Sequence, residues 1–273
     1  MGKRGQLSIF IIIGVIIVLL IGLSVFFLSM NNNEQSSETT LSPQQATVKA
    51  TIDACLRQTL EAGVVHISDR GGYYKFPEQT KQFNNVAYYF NEGKVVMPTL
   101  ETIQDQLALY VEDKMPECIE PNNFNALSLE QGDINAKIII NNNNVQANID
   151  YPIIFSNQDQ KFTLDKFQNT LSVRLGEIHE FLTSHMNNFQ VTHPQEIVIS
   201  DYDEFAKTKD YYYYIIDWDN PNMVFIIKDE NTKLNNKDHT FIITNNYDWQ
   251  EIEIPEEIIV ETEVAATWKN KIN

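Results

Sequence analysis

Apolar residues recur in this chain at two spacings, one that predicts helices and one that predicts strands. From Ala46 to a break at Arg70-Gly71-Gly72 they are three or four residues apart, which places them on one face of a helix. The residues on this face are Val48, Ile52, Cys55, Leu56, Leu60 and Val64. A second helix is predicted to begin near Pro98-Thr99, where Thr99 and the acidic Glu101 form a partial N-terminal cap.

The most regular apolar pattern lies in the middle of the chain. Its members are Leu164, Phe167, Leu171, Leu175, Ile178, Leu182, Met186 and Phe189. Successive members are three or four residues apart over about seven helical turns. The pattern therefore predicts one long amphipathic helix that packs across a sheet.

Strand-like segments alternate with these helices. Val86 to Phe90 is predicted to be a strand that turns at Asn91-Glu92-Gly93. Lys137 to Ile140 and Val145 to Ile149 are predicted to form a hairpin, because the four asparagines at 141–144 tolerate a left-handed turn.

The last third of the chain is rich in strand-like segments. Four of them are expected to form an antiparallel set: Glu196 to Ser200, Tyr211 to Asp217, Met223 to Lys228 and His239 to Thr244. The polar sequence Asp219-Asn220-Pro221-Asn222 is expected to turn the middle hairpin.

These elements together predict an α+β fold, with an antiparallel sheet packed against long amphipathic helices. We expect a helix-rich region at residues 46–190 and a strand-rich region at residues 191–273 that packs with it. Residues 31–45 are rich in Asn, Ser, Thr and Gln and are expected to form a flexible polar stalk. Residues 252–263 mix apolar and acidic side chains, and are expected to be either an edge strand or a loose tail.

Residues 7–30 form an uncharged, mostly apolar run of 24 residues. As a helix this run would be about 36 Å long, enough to cross a hydrocarbon core of about 30 Å. Because Lys3 and Arg4 precede it, the positive-inside rule predicts a cytoplasmic N-terminus and an extracytoplasmic domain at residues 31–273. The competing interpretation is a cleaved secretory signal, but such a signal has an apolar region of only about 7–15 residues. We therefore expect residues 1–30 to be a single-pass membrane anchor.

The charge of the chain excludes one class of partner. The sequence has 37 acidic and 20 basic residues, and its formal net charge is −17. Nucleic-acid-binding proteins need clustered cationic side chains to displace counterions from phosphates, so no nucleic acid partner is expected. The expected partners are the lipid bilayer, bound through residues 7–30, and a protein or other component of a cell envelope. No cofactor is predicted.

Cys55 and Cys118 are the two cysteines of the chain, and both fall in the expected outer domain. An even number of cysteines outside the cytoplasm favours a disulfide, which would join the first two predicted helices. The alternative is a pair of buried, unpaired thiols.

The histidines come close to a metal-binding pattern but do not complete it. His179-Glu180 opens like the zinc-protease motif H-E-x-x-H, but Thr183 stands where the second histidine belongs. His185 lies about 240° around a helix from His179, so the two side chains cannot share a metal ion on one helix. We expect these histidines to serve the core or the surface, and we predict no catalytic residue in the chain.

Two further groups of residues are weak candidates for binding. Asp217, Asp219, Asn220 and Asn222 place oxygen atoms in one turn, as calcium sites do, although a plain polar turn is the favoured interpretation. Tyr211, Tyr212, Tyr213 and Tyr214 lie in a predicted strand, which directs two phenols to each face. One pair would form an exposed strip that binds a glycan or a partner, or the pairs would divide between core and surface.

The N-terminal junction Lys3-Arg4-Gly5-Gln6, with Ser8, resembles the class III signal of archaeal type IV pilin-like proteins. The resemblance implies that residues 1–5 are removed by cleavage between Gly5 and Gln6, on the cytoplasmic side, and that the apolar helix is retained. Pilins usually carry glutamate at the fifth mature position, where this chain has Phe10. Processing is therefore compatible with the sequence, whereas assembly into a fibre lacks its usual charge pair.

A wider set of features resembles an uncharacterised group of membrane-anchored surface proteins of DPANN-type archaea. The features after the N-terminal signal are Cys55, Gly71-Gly72-Tyr73-Tyr74, Pro77, Val86-Ala87-Tyr88-Tyr89, Met97-Pro98-Thr99 and Cys118-Ile119. The resemblance implies an archaeal cell surface location and supports cysteine pairing, and it implies no activity. We expect a single-pass envelope anchor or interaction protein without catalysis. The alternatives are a pilin-like filament subunit and a tethered extracellular hydrolase that uses dispersed carboxylates.

Overall fold

The computed structural model describes residues 41–119, 124, 127–158, 160–219 and 221–247. The chain divides between residues 47 and 48 into two units, and the fold below is that of the described residues of the second, together with the first turn of the helix that begins at Pro43. The predicted membrane segment at residues 7–30 and the processing site at Gly5 and Gln6 lie outside the described residues. Within the described ranges, no helix is long and apolar enough to cross a membrane.

Four α-helices are present in the described ranges: α1 Pro43–Ser68, α2 Leu100–Cys118, α3 Leu175–His185 and α4 Ser200–Lys209. A π-helix, Met186–Gln190, follows α3 directly. The prediction of α1 is confirmed, and all six of its predicted core positions are buried. The predicted cap of α2 is also confirmed, because the Thr99 hydroxyl accepts a hydrogen bond from the Thr102 N–H at 3.1 Å.

The first helix begins earlier than expected, so residues 43–45 belong to α1 and not to a flexible stalk. Ser42 and Gln45 explain this start. The Gln45 N–H donates to the Ser42 hydroxyl at 3.4 Å, and the Gln45 side-chain oxygen accepts from the Ser42 N–H at 2.9 Å. This reciprocal pair is a capping box, and Pro43 occupies the first helical position, where proline is favoured.

The strands form two sheets. Their bounds are β1 Gln82–Phe83, β2 Val86–Asn91, β3 Lys94–Val95, β4 Ser128–Gln131, β5 Asn135–Asn141, β6 Asn144–Ser156, β7 Lys161–Leu171, β8 Tyr212–Asp219, β9 Asn222–Leu234 and β10 Lys237–Asn246. The six-stranded sheet has the order β1-β2-β10-β9-β8, with β3 paired to β2. In the four-stranded sheet, β6 pairs with β7 on one side and with β4 and β5 on the other. Only the β2–β10 pair is parallel among the described strands.

The α+β class is therefore confirmed, with one mixed and one antiparallel sheet. The predicted strand at Val86 to Phe90 is confirmed, and so is the asparagine hairpin between β5 and β6. The three predicted strands that begin at Tyr211, Met223 and His239 are also confirmed as antiparallel neighbours.

The prediction of one long helix from Leu164 to Phe189 is wrong. Residues 161–171 form β7, and α3 begins only at Leu175. The pairing register of β6 and β7 shifts between Asp150 and Ile153, so Leu164 and Phe167 are both buried although they are three residues apart. Phe167 and Leu171 are four apart, which is a same-face spacing in a strand as well as in a helix. An irregular strand followed by a helix thus imitates one helical stripe.

The prediction of a strand at Glu196 to Ser200 is also wrong, because α4 begins at Ser200 and no strand covers these residues. The first turn of α4 contains Asp201 and Asp203, and its last turn contains Lys207 and Lys209. Acidic residues at the start and basic residues at the end favour a helix because they oppose its dipole. The β-branched run Ile197-Val198-Ile199 suggested a strand but only leads into this helix.

The two faces of the six-stranded sheet pack differently. The inner face, represented by Phe225 on β9 and Phe241 on β10, belongs to the main core together with residues of the helices. The outer face carries a separate cluster made only of strand residues: Val86, Ile216, Val224, Ile226 and Ile242. The outer face is thus apolar without contributing to the main core.

Candidate functional site

The two cysteines form a disulfide that joins α1 to the C-terminal end of α2, with Cα atoms 5.8 Å apart. The predicted pairing of Cys55 and Cys118 is therefore confirmed, and the alternative of free thiols is wrong. The bond closes a loop over a sequence separation of 63 residues. Such bonds persist in oxidising compartments and are rare in the cytosol.

The four tyrosines divide between the two faces of the sheet. Tyr211 and Tyr213 pack into the main core, and Tyr214 packs against the outer cluster. Tyr212 is the most exposed of the four, with 49% of its surface accessible. Burial and a hydrogen bond to Asp203 raise the pKa of Tyr213 to about 12, so its phenol stays protonated and donates at 2.7 Å.

Tyr211 lies beneath a buried ion pair. The guanidinium carbon of Arg174 is 3.9 Å from the Tyr211 ring centroid, and Arg174 Nε donates to Asp229 Oδ2 at 2.9 Å. Arg174 also donates to the carbonyls of Lys209 at 2.6 Å and Asp210 at 3.1 Å, at the end of α4. This arginine therefore ties the start of α3, the end of α4 and β9 together.

The carboxylate of this pair is completely buried. Burial favours the neutral form of Asp229, but hydrogen bonds from Arg174 and Thr232 outweigh this effect and hold its pKa below the usual value. Asp229 Oδ1 also accepts the N–H of Asn231 at 3.0 Å. All of its strong acceptor positions are engaged in the fold, as a structural ion pair requires.

His179 and His185, which do not complete the H-E-x-x-H motif, have different hydrogen-bond partners. His179 Nε2 lies 3.0 Å from the Pro98 carbonyl, and His185 Nδ1 lies 3.1 Å from Asp201 Oδ2. Burial lowers the pKa of both rings, although the neighbouring Asp201 opposes this for His185. Among the described residues, no group of three His, Cys, Asp or Glu side chains could hold a metal ion. Both rings serve as packed hydrogen-bonding groups.

The described residues of the weak calcium candidate lie together at the turn between β8 and β9, where Asp219 pairs with Asn222. Asp217 and Asp219 end β8, Asn222 begins β9, and Asn220 lies outside the described residues. The side-chain oxygen of Asn222 accepts from the Tyr88 hydroxyl at 2.7 Å and from Asn246 Nδ2 at 3.1 Å. The oxygen of Asn222 is therefore engaged within the sheet.

The outer face presents an aromatic surface that the sequence pattern did not reveal. Tyr214 and Trp218 pack against its aliphatic cluster, and the Phe83 and Trp218 rings meet edge to face with centroids 6.3 Å apart. Phe83 lies on β1 and Trp218 on β8, at opposite ends of the sheet order, so the outer face is concave. Alternation along β8 was the available signal for Tyr212 and Tyr214, whereas Phe83 is brought here by long-range pairing.

A polar cavity of about 400 Å³ lies elsewhere in the same unit. Its lining residues are Ala54, Arg57, Gln58, Glu61, Lys233, Asn235 and Asn236. Both cations of this cavity are already paired, since Arg57 contacts Glu61 at 3.1 Å and Lys233 contacts Asp238. The concave outer face is the stronger candidate for recognition, because aromatic side chains are enriched at binding surfaces.

No protein-family model, curated protein or solved structure matches this chain. The function is therefore argued from the residues and their geometry. The described fold is a disulfide-linked α+β unit with an aromatic concave face and with several ionisable groups held in structural pairs.

Proposed function

We propose that this protein is a single-pass, membrane-anchored cell-surface protein that acts as an envelope anchor or interaction module. Residues 7–30 cross the bilayer, the N-terminus lies in the cytoplasm, and residues 31–273 lie outside. The observation that carries the proposal is the uncharged run of 24 residues that follows Lys3 and Arg4. A run of this length, flanked by basic residues on one side, is typical of a transmembrane helix with that orientation.

The Cys55–Cys118 disulfide supports the extracytoplasmic placement, because structural disulfides accumulate in oxidising compartments. The charge distribution supports it as well. Residues 31–273 contain 18 basic and 37 acidic side chains, which suits a soluble domain that neither nucleic acid nor anionic lipid attracts.

A binding role is favoured over catalysis by the way the buried charges are used. The Asp229 carboxylate already accepts hydrogen bonds from Arg174 and Thr232, and the His185 ring is hydrogen-bonded to Asp201. Catalytic acids and bases need a free face that a substrate can reach. An aromatic concave surface, in contrast, is a common feature of recognition sites.

Protease treatment of intact cells tests this topology. Protease added outside should release most of residues 31–273, while a cytoplasmic marker protein stays intact. The same treatment after lysis should degrade both proteins, which shows that the protease is active on each. Full protection of the domain in intact cells, with digestion only after lysis, would reverse the orientation and refute the proposal.

A pilin-like subunit of an archaeal surface filament is the second candidate. The observation that favours it is the junction Lys3-Arg4-Gly5-Gln6 with Ser8, which resembles a class III signal. Cleavage after Gly5 would leave Gln6 as the first residue and keep the apolar segment. Both candidates place the domain outside the cell, and they differ in whether the apolar helix stays in lipid.

A further inference from the structure

A cluster of aromatic and basic side chains lies where the C-terminal end of α1 meets α2. The rings of His66, Tyr74 and Tyr110 contact one another, with centroids 5.0–5.5 Å apart. Arg70 joins the cluster, because its Nη1 lies 3.1 Å from His66 Nε2. Each of the four residues is only partly buried, so part of its surface stays accessible.

Arg70 differs from the other arginines that the structure describes. Arg57 pairs with Glu61 at 3.1 Å, and Arg174 pairs with Asp229. Among the described residues, no carboxylate pairs with Arg70, and its Nε is buried without a hydrogen-bond partner. Leaving a charged donor without an acceptor is unfavourable, so a ligand that brings an acceptor to this guanidinium would be stabilised.

The neighbouring histidine does not neutralise this charge. Because arginine can only donate, His66 accepts the hydrogen bond of Arg70 at Nε2, which requires a neutral ring. Burial and the positive charges of Arg70 and Lys114 lower the pKa of His66, while Asp69 opposes them. The pair of His66 and Arg70 therefore carries one positive charge, in a chain whose formal net charge is −17.

The carboxylate that borders the rings, that of Asp113, is already engaged. It accepts a hydrogen bond from the Tyr74 hydroxyl and lies 3.7 Å from Lys114 Nζ, and these contacts lower its pKa. Lys75 adds a further cation, with its Nζ 4.9 Å from the centroid of the Tyr74 ring. The charge of Asp113 is thus offset locally, and it does not pair with Arg70.

The loop that carries Arg70 and Tyr74 is held in place by the rest of the fold. The Ala87 N–H donates to the Arg70 carbonyl at 3.3 Å. On α2, Gln106 Oε1 accepts the N–H groups of Tyr74 and Lys75 at 2.9 and 2.8 Å. A site that is fixed before the ligand arrives loses less conformational entropy on binding.

The rings and the guanidinium suit different parts of one ligand. Tyr110 rests against α1 at Gly63, where a Cβ atom would lie only 2.7 Å from Tyr110 Cδ1. Tyrosine rings offer a large, rigid contact surface at recognition sites. The planar fork of an arginine matches the two oxygens of a carboxylate. The cluster therefore fits a ligand that carries a carboxylate on a ring.

We propose that His66, Arg70, Tyr74 and Tyr110 form a binding site for a ring-shaped organic carboxylate, a class that includes the acidic sugars. The carboxylate accepts hydrogen bonds from Arg70, which His66 positions, and the ring of the ligand lies against the two tyrosines. The site belongs to the second unit alone and does not rest on the membrane topology, so either proposal can fail without the other.

Ligand titrations of the full-length, detergent-solubilised protein, followed by NMR, test this proposal. Glucuronate is the probe, glucose supplies a similar ring without the carboxylate, and acetate supplies the carboxylate without the ring. Glucuronate should bind at least about tenfold more tightly than either, because it alone makes both kinds of contact. It should also shift the Nε–H resonance of Arg70, which is identified by its absence from the spectrum of Arg70→Lys.

Variants of two arginines locate the site. Arg70→Gln removes the positive charge and should weaken glucuronate binding at least about tenfold. Arg57→Gln is the matched control, because it makes the same substitution at an exposed arginine that pairs with Glu61, and binding should not change. If Arg70→Gln fails to fold, Arg70→Lys replaces it; this variant keeps the charge but loses the planar fork, and should still bind glucuronate several-fold more weakly.

The outcomes separate a specific site from general attraction of anions. A preference for glucuronate that is lost in the folded Arg70 variant and kept in Arg57→Gln supports the proposal. Equal binding of acetate and glucuronate refutes it, because the rings then contribute nothing. Glucuronate binding that is unchanged in the Arg70 variant, or that leaves the Arg70 resonance unshifted, also refutes it, because the ligand then binds elsewhere or not at all.

Discussion

At the scale of single residues, we expect three buried histidines to make the fold sensitive to acid. Burial lowers the pKa of His179, His185 and His239, and that of His239 falls to about 4. His239 is held 3.0 Å from the Ser68 hydroxyl on α1, and Asp229 faces it from the paired strand β9. Arg174 opposes protonation and Asp229 favours it, but desolvation is the larger effect.

The first prediction concerns His239. Because its folded pKa lies below the unfolded value of 6.5, its contribution to stability is present above pH 6.5 and is lost as the pH falls towards 4. The difference corresponds to about 3 kcal/mol. His239→Gln should therefore reduce the loss of unfolding free energy between pH 7 and pH 4 by about this amount. Urea unfolding at both pH values measures it.

His193→Gln is the matched control, because it makes the same substitution at an exposed histidine. The loss of unfolding free energy between pH 7 and pH 4 is measured for both variants and for the parent protein. If His239→Gln shows the same acid sensitivity as the parent protein, His239 is not a source of that sensitivity.

The sequence pattern predicted that the four tyrosines divide between the two faces of a strand, but not which pair faces the core. Alternation in a strand separates Tyr211 and Tyr213 from Tyr212 and Tyr214. It does not say which pair faces the core, because that depends on where α4 packs. Asp203 on α4 accepts the Tyr213 phenol, and α4 was not predicted at all.

At the scale of elements, short spacing patterns were reliable where each pattern belonged to one element. Helix α1 has a regular stripe and a glycine break, and the Gly72 N–H closes its end on the Ile67 carbonyl at 2.7 Å. The pattern failed where β7 and α3 join, because a register shift produced helical spacing in a strand. No local rule separates these cases, since spacings of four are shared by strands and helices.

Protection of a sheet edge is another feature that only the fold reveals. Gln104 and Glu112 on α2 accept hydrogen bonds from the N–H groups of Ile140 and Ala136 on β5, both at 2.9 Å. Side-chain acceptors on a helix thereby cover the outer edge of β5. Covering an edge strand in this way prevents it from pairing with another chain.

The disulfide between α1 and α2 gives the second prediction, at this same scale. Its loop of about 60 residues corresponds to about 4 kcal/mol in the chain-entropy model. The double substitution Cys55→Ser and Cys118→Ser should lower the unfolding free energy by about that amount. Denaturant unfolding of both proteins, with and without reductant, measures the difference. A reductant that destabilises the double variant as much as the parent protein would contradict the assignment, since the variant has no disulfide to reduce.

At the scale of the whole molecule, composition and hydropathy predicted the α+β class and the anchor-plus-domain organisation, of which the class is confirmed. The strand order could not be predicted from the sequence, because β2 pairs in parallel with β10 across more than 150 residues. That single pairing brings Val86 and Ile242 together in the apolar cluster of the outer face. A long-range contact of this kind leaves no periodic trace in the sequence.

The last prediction concerns where the apolar N-terminal segment resides in the cell. If the chain is processed after Gly5, the mature protein begins at Gln6 and keeps the whole run at residues 7–30. Assembly into a pilin-like fibre would require these helices to leave the lipid, guided by a carboxylate at the fifth mature position, where Phe10 stands. An uncharged helix without that carboxylate is more stable in hydrocarbon, where a charged side chain costs about 2.5–3.5 kcal/mol at the centre of the span.

We therefore expect the protein to remain in the membrane fraction after cells are sheared and to be extracted by mild detergent. Phe10→Leu should behave like the parent protein, whereas Phe10→Glu should lower the membrane-inserted fraction. Enrichment of the domain in the pelleted filaments, with little left in the membrane, would favour the pilin-like alternative over the anchor.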